Sequence, residues 1–332
     1  MRILVKGAGV AGLTTAYALS ARGAEVTVAE HSPGFGQAAS WYAGGMLAPW
    51  CERESAEEAV LLLGKDAADW WEAALPGQVQ RKGTLVVAPA RDTGELRRFA
   101  SRTSGFRWVD ADEIGSLEPA LAGRFRQALF FPEEAHLDPR VALSTLQAEL
   151  ERSGVAFGCE VDEAGYDLTI DCTGSAKIGE IEGLRGVRGE MLYLQTEELD
   201  LSRPVRMLHP RIPLYIVPRG NGLFMCGATM IESDDCSPIT VRSLMEMLNA
   251  AYALHPAFAE AHVIETGAGL RPAFPDNLPR VIRNGRTIIV NGFYRHGFLL
   301  SPAMAQQVAA LVLSNQPEKE ASYEAYSQRR RA

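Results

Sequence analysis

The chain opens on a strand that runs straight into a glycine turn, and no other stretch narrows its fold so far. Ile3-Leu4-Val5-Lys6 is short and apolar, Gly7-Ala8-Gly9-Val10-Ala11-Gly12 has the Gly-x-Gly-x-x-Gly spacing, and residues 13–21 place apolar side chains at helical intervals. Glu25-Val26-Thr27-Val28-Ala29 then reads as a second strand, completing a βαβ unit. Each glycine answers a separate need. Gly7 allows a tight turn, Gly9 lets a pyrophosphate approach the backbone, and Gly12 lets helix and strand pack closely. Glu30 follows 18 residues after Gly12, where an acid would hold a ribose 2′-OH. A glycine-rich turn in some other α/β protein is the plainer alternative, yet strand, helix and acid in register favour a bound dinucleotide.

At 332 residues the chain exceeds most single domains, so two lobes are expected. Composition is that of an ordinary globular protein, 47% hydrophobic and 22% charged, and the net charge of -8 argues against a nucleic-acid partner. The one basic run, Arg329-Arg330-Arg331, reads as a solvated tail. No stretch approaches the roughly 18 apolar residues of a membrane span, and with Met1-Arg2 leading straight into the first strand no signal peptide is expected. The five cysteines form no C-x-x-C pair, so neither a metal site nor a disulfide framework is expected, and a reducing, cytoplasmic setting is.

Past Glu30 comes a glycine-rich loop, 34–36, and a run of small residues from Ala38 to Leu47 that would let a flat ligand lie on the backbone. One helix is expected to carry Leu61, Leu62, Leu63, Trp70 and Trp71. The pattern changes near Pro76-Gly77, where strands at 83–88 and 128–131 and a polar helix at 92–102 mark a second lobe. Asp138 and Pro139 suit the N-cap and N1 of a helix ending near Ser153, followed by strands at 155–161 and 168–171. Strands at 190–196, 214–218 and 223–228 follow, the last two joined by the hairpin signal Arg219-Gly220-Asn221-Gly222, and then a helix at 241–254. Beyond Glu265 the Gly-rich stretch around Arg271 reads as irregular. Ser301 and Pro302 read as the N-cap and N1 of a last helix, after a strand at 287–290.

Two arginines stand out by position. Arg271, beside Pro272, and Arg295, between a strand end and a helix start, lie where ligands bind in open α/β sheets, and arginine can grip a carboxylate through two parallel hydrogen bonds. Isolated arginines are more often surface charges. Tyr215 is likewise more often core than ligand contact. The stretch from Gly292 to Pro302 again directs backbone N–H groups and a helix N-terminus at whatever lies above it.

Several of these motifs together resemble the D-amino-acid oxidase family, in its glycine-oxidizing branch tied to thiamin biosynthesis. They are the opening glycines with Glu30, Ala43-Gly44-Gly45-Met46-Leu47, Tyr215-Ile216-Val217-Pro218-Arg219, Gly227-Ala228-Thr229-Met230, Ala268-Gly269-Leu270-Arg271-Pro272 and Arg295-His296-Gly297-Phe298-Leu299-Leu300-Ser301-Pro302. The resemblance implies a Rossmann-like FAD-binding domain of residues 1–76, 134–183 and 266–332, with an inserted antiparallel α+β substrate domain of residues 77–133 and 184–265. It implies non-covalent FAD, held by Gly7, Gly9, Val10, Ala11, Gly12, Glu30 and His31 at the adenosine side and by Ala39, Ser40, Gly44, Gly45 and Met46 near the isoalloxazine. Val161 would hold the adenine, Gly174 would border the cofactor, and Phe293, Tyr294, Arg295, His296, Gly297, Phe298 and Leu299 would follow the flavin's pyrimidine edge. Arg271 would bind the substrate carboxylate with Tyr215, Arg295 would stand at the flavin edge, and Met46 and Met230 would wall a small pocket. The implied reaction is oxidation of glycine, and of small amines such as sarcosine, to the imine and glyoxylate. Dioxygen would be the acceptor and leave as hydrogen peroxide, thiazole synthase a partner, and the enzyme a homo-oligomer. Oxidation of D-amino acids or sarcosine, another flavin reaction, or a non-catalytic FAD module remain as alternatives.

Overall fold

A computed structural model describes residues 1–31, 34–35, 38–159, 161–209 and 214–313. The basic run at 329–331 and Gly36 of the glycine-rich loop lie outside the described residues.

The opening βαβ unit forms as the sequence predicts. Strands Arg2–Lys6 and Glu25–Ala29 pair in parallel, joined by the helix Val10–Ser20. They sit in a six-stranded sheet ordered Arg280–Asn284, Thr287–Asn291, Leu168–Asp171, Arg2–Lys6, Glu25–Ala29, Ala156–Gly158. Every pairing in it is parallel except that of the edge strand Arg280–Asn284. The helices Val10–Ser20, Pro139–Arg152 and Gly297–Leu313 pack beside it around buried Ile3, Val5, Leu13, Leu146, Val290 and Leu300. Asp138 caps the second of these helices, its carboxylate accepting from Arg140 N at 2.9 Å, with Pro139 at the first helical position.

The second layer is a nine-stranded sheet running Ile231–Glu232, Arg185–Gln195, Leu223–Gly227, Leu214–Pro218, Val205–Met207, Thr84–Val87, Gln127–Phe131, Arg107–Asp110, with His262–Ala273 laid along the other side of Arg185–Gln195. It is antiparallel except where Val205–Met207 meets Thr84–Val87. The helix Val241–Leu254 covers it with Met247, Ala251 and Leu254, its N-terminus closed by the Thr240 hydroxyl.

Four expectations are corrected. Residues 262–273 form a continuous strand, so Arg271 stands in a sheet rather than in irregular chain; the glycines that suggested irregularity face Tyr42, whose ring a Cβ at Gly267 would meet at 2.5 Å. The helix expected around Leu61 and Trp71 is two, Glu58–Gly64 and Ala67–Ala74, and at Gly64 the chain comes so near the last helix that a Cβ would stand 2.6 Å from Leu299 Cγ. The strand expected at 155–161 ends at Gly158, short of Val161. The last helix begins at Gly297, with Pro302 inside it rather than at its start. Proline at 302 cannot donate to the Phe298 carbonyl, and the indole N–H of Trp71 donates there instead, at 2.9 Å.

Candidate active site

A cavity of about 600 Å³ runs from the glycine turn to the half-buried arginines of the larger sheet. Its two ends are built differently.

At the first end the backbone does the shaping. Gly7 has φ +92°, and a Cβ there would stand 2.7 Å from Cys172 O; one at Gly12 would collide with Gly7 O. Glu30 accepts from Ala8 N at 2.8 Å, fixing the turn to the end of the second strand. The Val10–Ser20 helix has Gly9 as N-cap and no side-chain cap, while Ser40 Oγ accepts from Val10 N at 3.3 Å. A Cβ at Gly9 would reach to 3.3 Å of that hydroxyl. The turn is thus bare of side chains where it meets the cavity, with a helix N-terminus behind it, and these residues fit a dinucleotide pyrophosphate. Buried Asn291 ties the neighbouring loops together, donating to Gly174 O at 2.9 Å and accepting from Gly292 N at 2.7 Å.

Midway, Ala39, Ser40, Gly44, Gly45 and Met46 line one wall, and Phe293 to Leu299 the other. Arg219, in the hairpin turn, donates to Gly44 O at 2.8 Å and so fixes this wall. Arg140 braces it from outside. Its guanidinium meets Glu265 through two hydrogen bonds of 2.8 and 2.6 Å and lies over the rings of Trp41 and Tyr193.

At the second end side chains do the shaping. Tyr215 is wedged between two glycines: a Cβ at Gly44 would stand 2.8 Å from its ring, and one at Gly227 2.8 Å from its hydroxyl. Arg271 donates to Thr229 O at 3.0 Å, and its guanidinium lies so close over Gly189 that any side chain there would collide with it. The Thr229 loop is held in turn by a buried pair. Glu190, fully buried, accepts from Arg188 at 2.8 Å and from the Thr229 hydroxyl at 3.1 Å, while Arg188 also donates to the carbonyls of Asp235 and Pro238. Arg295 Nη2 lies 2.6 Å from Glu52 Oε2 and donates to Ser55 Oγ at 2.7 Å; its other nitrogen and the Tyr294 hydroxyl both reach Met230 Sδ at 3.4 Å.

Every expected site residue faces the cavity except two. Gly12 serves packing behind the turn, and Val161 does not line the cavity. Among the lining residues that the sequence does not single out are two charged ones at the arginine end, Glu52 and Arg206. Glu52 Oε1 lies 3.3 Å from Arg206 Nη1, and its Oε2 also lies 3.4 Å from His296 Nδ1. Burial pushes the Glu52 carboxyl up, but the charges of Arg295 and Arg206 overcome it and hold its pKa at about 2. Burial lowers His296 to about 4 against the pull of Glu52, so the imidazole is neutral at pH 7. Only tertiary structure brings these groups together: Glu52 ends a short helix, Pro49–Glu52, and Arg206 stands mid-strand, each an isolated charge in its own segment.

A further buried acid lies behind. Glu134 accepts from Cys51 N at 2.7 Å, and burial raises its pKa to about 7. Among the described residues no His, Cys, Asp or Glu group is arranged to hold a metal, and no helix is long and apolar enough to cross a membrane.

The family model described as FAD dependent oxidoreductase matches residues 2–311, in agreement with the resemblance to the D-amino-acid oxidase family. A Rhizobium etli protein named for thiamine biosynthesis, the oxidoreductase ThiO, is 65% identical over 330 residues, covering 97% of this chain and 100% of that one. A glycine oxidase of Bacillus licheniformis is 25% identical over 99% of this chain and 97% of its own length. In a Nostoc relative named bifunctional protein ThiO/ThiG, 26% identical, 98% of this chain matches 54% of the longer protein. The crystal structure of a glycine oxidase from Bacillus cereus superposes with a TM-score of 0.79 over 96% of this chain and 98% of that one, at 21% identity, so the fold is shared. The chain belongs to the FAD-dependent oxidoreductase family, and within it is an enzyme of the glycine oxidase and ThiO type.

Proposed function

We propose that the protein oxidises glycine, and other small amines such as sarcosine, to the imine, which water converts to glyoxylate with release of ammonia or the corresponding amine, with dioxygen as the electron acceptor and hydrogen peroxide as its product. FAD, when bound, supplies the two-electron acceptor. In this reading Arg271 and the Tyr215 hydroxyl take the substrate carboxylate, Arg295 closes the opposite side, and Met46 and Met230 limit the room beside Cα. Fixing one end of a small molecule against rigid neighbours accounts for most of the rate, because orientation is settled before reaction.

The observation that carries this reading is the fit of Arg271 over Gly189. A half-buried guanidinium that lines the cavity is suited to a carboxylate, and its contacts with Gly189 and Thr229 O hold it in place. Burial lowers its pKa from the ordinary arginine value, so an anionic partner is favoured.

The proposed division of labour gives residues 1–76, 134–183 and 266–332 to the cofactor and 77–133 and 184–265 to the substrate; it is supported by the strands of the six-stranded sheet, which all fall in the first set, while the strand His262–Ala273, paired in the larger sheet, crosses the proposed boundary. The imine would serve thiamin thiazole assembly with thiazole synthase as partner, a link supported by the fused Nostoc relative. A homo-oligomer in the cytoplasm completes the reading, in keeping with the free thiols at all five cysteines.

A single screen tests this. The purified yellow protein is offered glycine, sarcosine and D-amino acids, and peroxide is measured; glycine and sarcosine should give it, and larger D-amino acids far less. Acid precipitation should leave the flavin in the supernatant. No peroxide from glycine, with turnover of a bulky D-amino acid, would replace this reading with that of a D-amino-acid oxidase.

A further inference from the structure

Three arginines line the substrate end of the cavity, Arg206, Arg271 and Arg295, and one carboxylate, Glu52. Glu52 faces two of the three, from the strand Val205–Met207 and from the turn before the last helix. Arg271 is turned to Thr229 O and Gly189. The other groups around Glu52 add no charge at neutral pH. His296 is neutral, burial raises the Tyr215 hydroxyl above its ordinary range, and burial does the same to the Cys51 thiol. Glu134, beyond Cys51, and Glu54, 3.6 Å from Arg102, also act on Arg206, but more weakly than Glu52 does.

We propose that Glu52 is a charge-setting residue: it neutralises one of the three guanidiniums and so leaves two positive charges at the substrate end. One is matched by the substrate carboxylate. The second disfavours an ammonium group beside it, so the bound amine gives its proton to water and keeps its lone pair, and the same excess charge raises the electron affinity of the bound flavin. Glu52 is not a base in this scheme, because both its oxygens already face cations and a carboxylate so stabilised pulls weakly on a proton. The proposal rests on the glycine reading above for its substrate.

The test compares wild-type, Glu52→Gln and Glu52→Asp holoenzymes in two measurements. The first is the pH dependence of anaerobic flavin bleaching at saturating glycine. The second is the reduction potential of the bound flavin with no substrate present. Glu52→Gln adds a net positive charge, so the rising limb should move to lower pH by about one unit, roughly tenfold in rate on its acid side, and the potential should become more positive. Glu52→Asp keeps the charge and should keep the limb and the potential, whatever its rate. Glu134→Gln, which removes the group titrating near neutrality, should leave the limb in place.

A wild-type limb and potential in Glu52→Gln would overturn the proposal. So would a flavin-loaded Glu52→Gln that bleaches at no pH with its potential unmoved, since Glu52 would then be the base, or a limb that moves as far in Glu134→Gln. If Glu52→Gln yields no holoenzyme, Arg206→Gln carries the same test with the signs reversed. Failure of glycine to bleach the wild type would sink the glycine reading instead, and the potential would still decide the role of Glu52.

Discussion

The two ends of the cavity are made in opposite ways. The dinucleotide end is a backbone object, in which Gly7, Gly9 and Gly12 matter for the side chains they lack, and all lie within one turn of chain. The substrate end is a side-chain object, assembled from Glu52, Arg206, Tyr215, Arg271 and Arg295, which come from separate segments. A backbone shape is specified locally and tolerates no added atom. A charge cluster is specified by the whole fold, and its members can be changed singly while the fold stands.

The contrast predicts where substitutions hurt most. The largest effect should come at the backbone end. Gly12→Ala puts a Cβ into Gly7 O, and should cost about 3 kcal/mol or more and yield colourless protein. Flavin content and urea unfolding measure this, and a yellow, stable Gly12→Ala would erase the distinction between the ends. Next comes Arg271→Ala, which should lower kcat/KM by a factor corresponding to about 2 to 4 kcal/mol while the flavin spectrum persists. Arg271→Lys should recover only part of the loss, since a point charge lacks the fork. Gly189→Ala sharpens the point, because it keeps the arginine yet displaces its guanidinium and should reproduce most of the Arg271→Ala defect.

The last effect leaves the site intact and concerns stability and pH. Glu134 keeps its proton in the folded state up to about pH 7, whereas an unfolded glutamate releases it near 4.5. Its contribution is full below pH 4.5 and is lost as pH rises through 7. His296 and His136, lowered by burial to about 4 and about 3, act with the opposite sign, destabilising the fold as pH falls below 6.5. The Glu134→Gln protein therefore isolates the first term, and its Tm relative to wild type should climb between pH 5 and 8 by an amount worth roughly 3 kcal/mol. A constant difference across that range would show that Glu134 does not titrate there.

Legibility followed the same division. The glycine turn, Glu30, the Asp138-Pro139 cap and the Arg219-Gly220 hairpin are all local chemistry and were readable from consecutive residues. Glu52 and Arg206 were not, because each is an unremarkable charge until folding sets them 3.3 Å apart. Two local signals misled for a physical reason. Gly267 and Gly269 look like loop residues but are the space a tyrosine ring occupies, and Ser301-Pro302 looks like a helix start although Trp71 supplies the hydrogen bond that proline cannot.

The tight seat of Arg271 over Gly189 also restricts the order in which such a chain can change. A side chain at 189 displaces Arg271 from its seat, so a substitution there spares the site only after the arginine has ceased to be needed. The reverse route needs the glycine first. A lineage that loses the arginine is then free to fill position 189, and once it has done so a single step back to arginine is blocked. The exchange of one ligand preference for another at this site would thus act as a ratchet.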